Sequence, residues 1–354
     1  MGLKILHTAD WHLDSPFRGF PPEQRELLRQ AQEKIPEKIT DLCLREDCDM
    51  MLLAGDIFDG SPSRETVALV ARELERSGVP VLISPGNHDF CCPGSPWLEY
   101  RWPDNVFVFT GELESVIIGG LDCRIYGAGF RSMDCPALLE GFRAEGPETY
   151  KIAVLHGDPT QKNSPYNPIT AAQIRASGLS YLALGHIHKA GAFRGGDTLC
   201  AWPGCPMGRG WDETGEKGVC IVTIEDSASV QAVSLDTLRF HELDTQIGDD
   251  PAATVEALLP GLGGQDFYRI SLTGWGRVDM EALRERFRAY PNLELRDQTE
   301  DPDTLWEGAG EDTLEGTFFQ LLKSAMEEDP HNASRYRLAA EISRQILRGK
   351  EVTL

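Results

Sequence analysis

The first 190 residues alternate short apolar runs with segments of helical period, and this alternation constrains the fold more than any other feature. Leu3–His7, Met50–Ala54, Val81–Ser84, Tyr150–Leu155 and Tyr181–Leu184 are apolar runs bounded by turn residues, as buried strands are. Between the first two, Leu28, Ile35, Ile39 and Leu42 fall at helical spacings, with Pro36 marking a kink or a break. Thr66–Glu75 and Ala171–Ala176 read as further helices. Strands alternating with helices predict an α/β sheet covered on both faces. From Leu199 to Leu235 the pattern changes. Val219–Ile224 and Val230–Val233 are β-rich with no helix between them, so they are expected to close the domain as antiparallel strands.

A second region follows. Val255–Leu259 and Met280–Arg288 read as helices, and Phe267–Leu272 and Leu293–Leu295 as strands, together a small α/β module. Glu294–Glu315 holds nine acidic residues and one basic residue, Arg296, and reads as a solvated linker. Two more helices are expected beyond it. One carries the apolar stripe Leu314, Phe318, Leu321, Leu322 and Ala325, with Thr313 as N-cap. The other carries Leu338, Ala339, Ile342 and Ile346, with Gly349 as a stop. Arg335, Arg337, Arg344, Arg348 and Lys350 make this last segment basic. Stripes of this kind need burial, on the same chain or on a partner.

The length of 354 residues implies two domains, or one large domain with additions. The formal charge of −22 argues against a protein that coats nucleic acid with its own basic surface. It does not exclude a metal-dependent enzyme acting on phosphates, because bound cations invert the local electrostatics. Nine scattered cysteines without a Cys-x-x-Cys pair are expected to be reduced and mostly buried. The opening residues lack the features of a signal peptide, and no apolar run approaches the ~18 residues that span a bilayer. A cytoplasmic protein without membrane segments is the expectation.

Five short motifs each follow an expected strand: Asp10-Trp11-His12, Gly55-Asp56-Ile57-Phe58-Asp59, Gly86-Asn87-His88-Asp89, His156-Gly157-Asp158 and Gly185-His186-Ile187-His188. Ligands of α/β sheets bind outside the carboxyl ends of the strands, so these residues are expected to converge on one crevice. Asp, Asn and His are the donors used by hard and borderline divalent metals. Asp10 and His12 are two apart and would point the same way within a strand, and His186 and His188 repeat that spacing. Gly86 and Gly185 would permit tight turns. Five of the eight histidines lie in these motifs. Taken singly, each motif also reads as a turn, a cap or a packed strand end. A bland reading must explain all five in this order.

The set resembles the calcineurin-like metallophosphoesterase family. Ile5-Leu6-His7-Thr8-Ala9-Asp10-Trp11-His12-Leu13, Tyr181-Leu182-Ala183-Leu184-Gly185-His186-Ile187-His188 and Ala201-Trp202-Pro203-Gly204-Cys205-Pro206 are similar to segments of SbcD-type DNA repair exonuclease subunits. The resemblance implies an α/β fold, a metallophosphoesterase β-sandwich of two packed sheets flanked by helices. The expected division is a catalytic domain at 1–240, a small α/β capping module at 241–308 and C-terminal helices at 309–354. The resemblance further implies two divalent metal ions sharing a hydroxide. Asp10, His12, Asp56 and His188 would hold one, and Asp56, Asn87, His156 and His186 the other, with Asp56 bridging. His88 would act as general acid and Asp59 would orient it. The donor set suits Mn²⁺ or Fe better than Ca²⁺, with Zn a further candidate.

The activity implied is phosphodiester hydrolysis in DNA by a nuclease subunit, exonuclease or endonuclease, with an SMC-like coiled-coil ATPase as partner and a homodimer as a further assembly. The alternative is a phosphatase or phosphodiesterase for a small molecule or a phosphoprotein. A non-catalytic scaffold fares badly, since no position of the metal pattern is missing. Residues 1–240 and 241–354 each carry a formal charge of −11, so neither is a basic platform. His7 reads as a packed histidine, while Arg18, Asp158 and Arg209 stay open between surface or turn roles and contact with the site. Gly210–Lys217 lacks Gly-Lys-Ser/Thr and is not a phosphate loop.

Overall fold

The computed structural model describes residues 2–248, 250–259 and 264–349. Lys350, counted above with the basic residues of the last helix, lies outside them. The chain divides into two compact units, Met1–Phe240 and His241–Leu354.

The first half of the first unit runs β1 (Leu3–Thr8), α1 (Pro22–Glu33), α2 (Ile35–Arg45), β2 (Met50–Leu53), α3 (Arg64–Arg76), β3 (Val81–Ile83), α4 (Pro96–Glu99) and β4 (Val106–Val108). Strands β5 (Glu114–Ile118), β6 (Cys123–Gly127) and β7 (Tyr150–His156) follow, then α5 (Ala171–Ala176) and β8 (Tyr181–Gly185). The unit closes with β9 (Gly191–Gly195), β10 (Thr198–Trp202), β11 (Gly218–Ile224) and β12 (Ala228–Ser234). Pro36 occupies the first turn of α2, where its missing N–H costs nothing, so it separates two helices rather than kinking one.

The strands form two six-stranded sheets, β12-β11-β1-β2-β3-β4 and β5-β6-β7-β8-β10-β9. β1 to β4 are parallel, as are β6 to β8. β11 returns antiparallel beside β1, with β12 outside it, as expected of the closing strands. Alternate residues of both sheets share one core: Leu3, Ile5, Met50 and Leu52 from the first, Ile152, Val154, Tyr181 and Ala183 from the second. The opposite face of the second sheet packs Ala153, Leu155, Leu182 and Leu184 with Ile174 of α5. The unit is therefore a β-sandwich flanked by helices. The even spread of apolar residues along β1, β2, β7 and β8 follows, because each strand is covered on both faces.

The second unit contains β13 (Phe240–Gln246), α6 (Pro251–Leu258), β14 (Phe267–Thr273), α7 (Met280–Arg286), β15 (Leu293–Asp297), α8 (Leu314–Glu328) and α9 (Ala333–Leu347). β13, β14 and β15 form a three-stranded sheet in that order. Val255, Leu283 and Phe287 pack on Ile270, Leu272 and Leu295. A separate cluster joins Trp275, Leu305, Phe319 and Ala340.

Two expectations for this unit are corrected. The acidic stretch is not merely solvated, since Leu305 is 1% exposed and Pro302–Trp306 forms a 3₁₀ turn. Several of its charges are paired with arginines: Arg277 pairs with Asp301 and Asp303, Arg348 with Glu300 and Arg344 with Glu315. The expected stripes of α8 and α9 meet the buried seam only in part, through Leu322, which packs against the Trp275–Phe319 cluster. Phe319 and Ala340 are buried, whereas Leu314 is 91% and Leu321 65% exposed, and Leu338 and Ile346 are exposed too. Thr313 does cap α8, its hydroxyl accepting from Gly316 N–H at 2.9 Å.

Candidate active site

The carboxyl ends of β1, β2, β3, β7 and β8 and the loops that leave them carry all five motifs, His156 being the last residue of β7. The expectation that strand pleating orients Asp10 with His12, and His186 with His188, is corrected. β1 ends at Thr8 and β8 at Gly185, so both pairs lie on loops. The backbone is left-handed at Asp10 (φ 54°), His12 (φ 47°), Asp56 (φ 53°) and His186 (φ 93°). Such conformations are uncommon outside glycine and cluster at functional sites. Neighbouring loops hold them: Asp10 N–H donates to Gly55 O, His12 N–H to Asp56 O and Leu13 N–H to Ile57 O, each at 2.9 Å.

Gly86 and Gly185 serve close approach rather than turning. A Cβ on Gly86 would collide with the Asp56 carboxylate, and one on Gly185 with the carbonyl of Ala54. Without these glycines the loops could not come together.

The seven expected metal ligands meet in one place. Asn87 Oδ1 lies 2.9 Å from His156 Nε2 and 3.2 Å from His186 Nδ1. Asp56 Oδ2 lies 3.5 Å from His156 Nε2 and 3.7 Å from His12 Nε2. His12 Nε2 faces His188 Nε2 at 3.2 Å, and Asp10 Oδ1 is 3.8 Å from the same His188 nitrogen. Three sets have donor atoms within 4.8 Å of one another: Asp10–His12–His188, Asp10–Asp56–His156 and His12–Asp56–His88. Asp10, His12, Asp56, Asn87 and His156 are buried.

This donor set fits cations. Burial, then the neighbouring Asp56 charge, pushes the Asp10 carboxyl well above its usual range. Burial holds His12 and His156 below the usual imidazole value and His186 down to about 4, which favours the uncharged rings that can donate a nitrogen lone pair. Among the described residues, His12 Nδ1 is buried without a hydrogen-bond partner. Adjacent carboxylates, an amide oxygen and neutral imidazole nitrogens crowded together are costly alone and suit borderline divalent ions.

His88 sits differently. Its side chain is 41% exposed, and Nδ1 lies 2.9 Å from Asp59 Oδ1. The hydrogen bond to Asp59 raises the imidazole pKa and lowers that of the carboxyl. Ser15 Oγ–H donates to the other Asp59 oxygen at 2.9 Å.

Three residues of the site carried no sequence assignment. Asp89 is buried and accepts from the N–H groups of Gly86, Ile57 and Phe58, so it ties the loops after β2 and β3 together. Burial, then the Asp56 charge, pushes it up to about 7. Glu213 Oε1 lies 2.6 Å from His188 Nδ1 and 2.9 Å from Arg209 Nη2. Burial alone would raise Glu213; the hydrogen bonds from His188 and Arg209 outweigh it and hold the carboxyl low. Arg209 is thus attached to the site, and Gly210–Lys217 supplies a histidine partner. Gln32 Nε2 donates to His12 O at 2.8 Å. No local pattern announced Glu213 or Gln32, because both reach the site from segments distant in sequence. Asp158 is a turn residue, accepting from Thr160 N–H, Thr160 Oγ–H and Gln161 N–H. His7 is packed, as expected, 2.8 Å from the Tyr181 hydroxyl, and burial pushes its imidazole down to about 3.

Comparison with known proteins places this arrangement in a class. Residues 3–190 match the family model of the calcineurin-like phosphoesterases. The chain belongs to that family. It is 30% identical over 258 residues to the metallophosphoesterase YhaO of Bacillus subtilis, a match covering 68% of this chain and 61% of the relative. It therefore spans less than two thirds of that relative. It is 21% identical over 333 residues to the SbcD subunit of the nuclease SbcCD of Staphylococcus epidermidis, covering 82% of this chain and 84% of the relative. Among solved structures it is similar to a dimetal phosphatase from Danio rerio, with a TM-score of 0.44 and 12% identity over 66% of this chain and 96% of that one. No helix among the described residues is long and apolar enough to cross a membrane.

Proposed function

We propose that the chain hydrolyses phosphodiester bonds in DNA with two divalent metal ions, as a nuclease subunit. Asp10, His12, Asp56 and His188 would hold one ion, and Asp56, Asn87, His156 and His186 the other, with Asp56 between them. The observation that carries the reading is the convergence of these seven side chains at the carboxyl ends of five strands, with the carboxylate of Asp56 within 4 Å of imidazoles on both sides. The chemistry such ions supply when bound is charge neutralisation at a phosphoryl group and a nucleophile available at neutral pH. The chain's own contribution is a held proton. His88, whose protonated form is favoured by its bond to Asp59, offers a general acid to a leaving oxygen. Mn²⁺ is the ion the donor set favours, with Fe and Zn as further candidates.

DNA as substrate is supported by the relative named as a nuclease subunit, which aligns along most of both chains. An SMC-like ATPase partner is supported by the exposed apolar side chains of α8 and α9, among them Leu314, Leu321, Leu338 and Ile346. A homodimer would cover the same side chains. The charge of −22 favours a second reading, a phosphodiesterase for small substrates, if the chain acts alone.

Elemental analysis of the purified chain, with cleavage of linear duplex DNA and of methyl 4-nitrophenyl phosphate in the presence and absence of Mn²⁺, tests these readings. Two equivalents of metal and metal-dependent DNA cleavage are expected. Cleavage of the small diester alone selects the second reading. Asp56→Ala is expected to lose both ions, and full metal content in that variant overturns the assignment.

A further inference from the structure

Beside the site, a cavity of about 590 Å³ opens between the start of α3 and the segment that follows β3. His88 is part of its wall, so it continues from the group assigned above to the leaving oxygen. Asp89 of the same motif and Glu99, whose carboxylate accepts from Gly94 N–H at 2.7 Å, also line it, but the aromatic part of the wall is unlike the metal-binding loops. Phe90 lines it half-buried, and Tyr100 lines it 38% exposed. Tyr100 is the outer end of an aromatic series, its ring 5.3 Å from Trp102, which stacks on buried Trp97 at 5.1 Å, itself 5.1 Å from Phe58. The exposed ring is therefore braced from behind. Arg64, at the first turn of α3, lines the same cavity and forms no ion pair among the described residues, unlike Arg277 and Arg344 of the second unit.

We infer that this cavity receives the nucleobase on the leaving-group side of the scissile phosphodiester, stacked against Tyr100 and Phe90, with Arg64 meeting a neighbouring phosphate. The inference rests on the phosphodiesterase reading above and names the substrate class for it. Three observations combine. The volume lies in the range of small-ligand sites, roughly 300–1,000 Å³. A rigid aromatic wall with a free cation suits a planar base joined to an anion, and base–aromatic stacking tolerates any sequence. The position next to His88 places whatever departs with the leaving oxygen in this cavity. A base held there must be out of the duplex stack, so the expected substrate is a single-stranded or frayed end.

The test uses the full chain loaded with Mn²⁺ and single-stranded oligonucleotides in which one nucleotide, on either side of the cleaved bond, is replaced by an abasic tetrahydrofuran. Removing the base on the leaving side is expected to lower kcat/KM by roughly 5- to 150-fold, the span of base–aromatic stacking, and removing the base on the other side by less. In Tyr100→Ala, with metal content and circular dichroism as controls for folding, that ratio is expected to fall towards one. Phe90→Leu, which keeps an apolar wall, is expected to lower it in part. Equal cleavage of base-bearing and abasic substrates by the unmodified protein overturns the inference, as does an undiminished ratio in Tyr100→Ala. If no polynucleotide is cleaved but methyl 4-nitrophenyl phosphate is, the nuclease reading fails separately. Competition against that diester then decides the cavity. Deoxyadenosine monophosphate inhibiting no better than inorganic phosphate overturns it, and preferential inhibition lost in Tyr100→Ala upholds it.

Discussion

In the first unit the chain buries polar side chains, and in the second it exposes apolar ones. Asp10, Asp56, Asn87 and His156 lie at 4% exposure or less, while Leu314, Leu321 and Ile346 of α8 and α9 stand above 50%. The costs of the two departures differ. A buried carboxylate or imidazole is expensive unless every lone pair is answered, so the loops around it are cross-tied by backbone and side-chain hydrogen bonds. An exposed leucine costs its helix little, so nothing fixes its surroundings. Substitutions in the first region should therefore have large effects on chemistry. In the second they should divide sharply between the seam and the outer faces.

The largest effect is expected from His88→Ala. His88 is half exposed and bonded to Asp59, so its removal leaves the ligand cluster intact and takes away only a positioned acid. Turnover is expected to fall by ~10²–10⁴-fold with metal content unchanged, by elemental analysis beside steady-state kinetics. Loss of metal in this variant would make His88 a ligand, which its proximity to His12 and Asp56 allows geometrically.

Phe319→Ala probes the other region. Phe319 is fully buried with Trp275, Leu305 and Ala340, and the Arg344 guanidinium lies 3.9 Å from its ring centre. Truncation of such a core aromatic is expected to cost about 3–5 kcal/mol, read as a lower denaturant midpoint. Metal binding by the first unit should persist through that change. Because these helices share a core with Trp275, deleting them would strip that side chain, and point substitutions are the sounder probe of their outer faces.

A smaller effect, in the first region, is expected at Glu213. Its carboxylate fixes the ring of His188 through Nδ1 and is held in turn by Arg209. Glu213→Gln removes the charge and keeps the size. Mn²⁺ affinity should fall by ~10–100-fold, the usual worth of a carboxylate behind a ligating histidine, measured by calorimetric titration. Unchanged affinity would mean that His188 does not ligate.

What was legible in the sequence follows the same division. The cores of strands β1, β2, β3, β7 and β8 and of helices α3 and α5 were visible within a residue or two, because double-sided burial writes itself as unbroken apolar runs. The convergence of Asp10, Asp56, Asn87, His156 and His186 was visible because each stands just beyond such a run. The mechanism of their presentation was not, since left-handed backbone leaves no mark on residue spacing. Strands β4, β5, β6, β9, β10 and β13 escaped notice: Phe107, Ile117 and Phe193 lie outside the sandwich interior, while β6 and β10 are buried but only five residues long. Glu213 escaped because its partner lies 25 positions away. In α8, Leu314, Phe318, Leu321 and Ala325 share a helical face as convincingly as the true seam does. Helical period locates a stripe but does not say which of two adjacent stripes is covered.

Leu321→Ala carries the smallest expected effect and bears most directly on that ambiguity. Leu321 is 65% exposed and takes no part in the Trp275–Phe319 cluster. In the isolated chain its truncation should shift stability by no more than about 0.5 kcal/mol, as for surface substitutions in general. Phe319→Ala, two residues earlier on the same helix, should cost several times more. Measured side by side by chemical denaturation, the pair reports which face of α8 is packed. Equal losses at both positions would mean that the expected stripe is buried after all, against Phe319 and its neighbours as the seam. A large loss at Leu321 that appears only at high protein concentration would mean that a second copy covers it, because stability gained by association grows with concentration. A negligible loss at every concentration leaves that face open for a partner of another kind, as the nuclease-subunit reading requires.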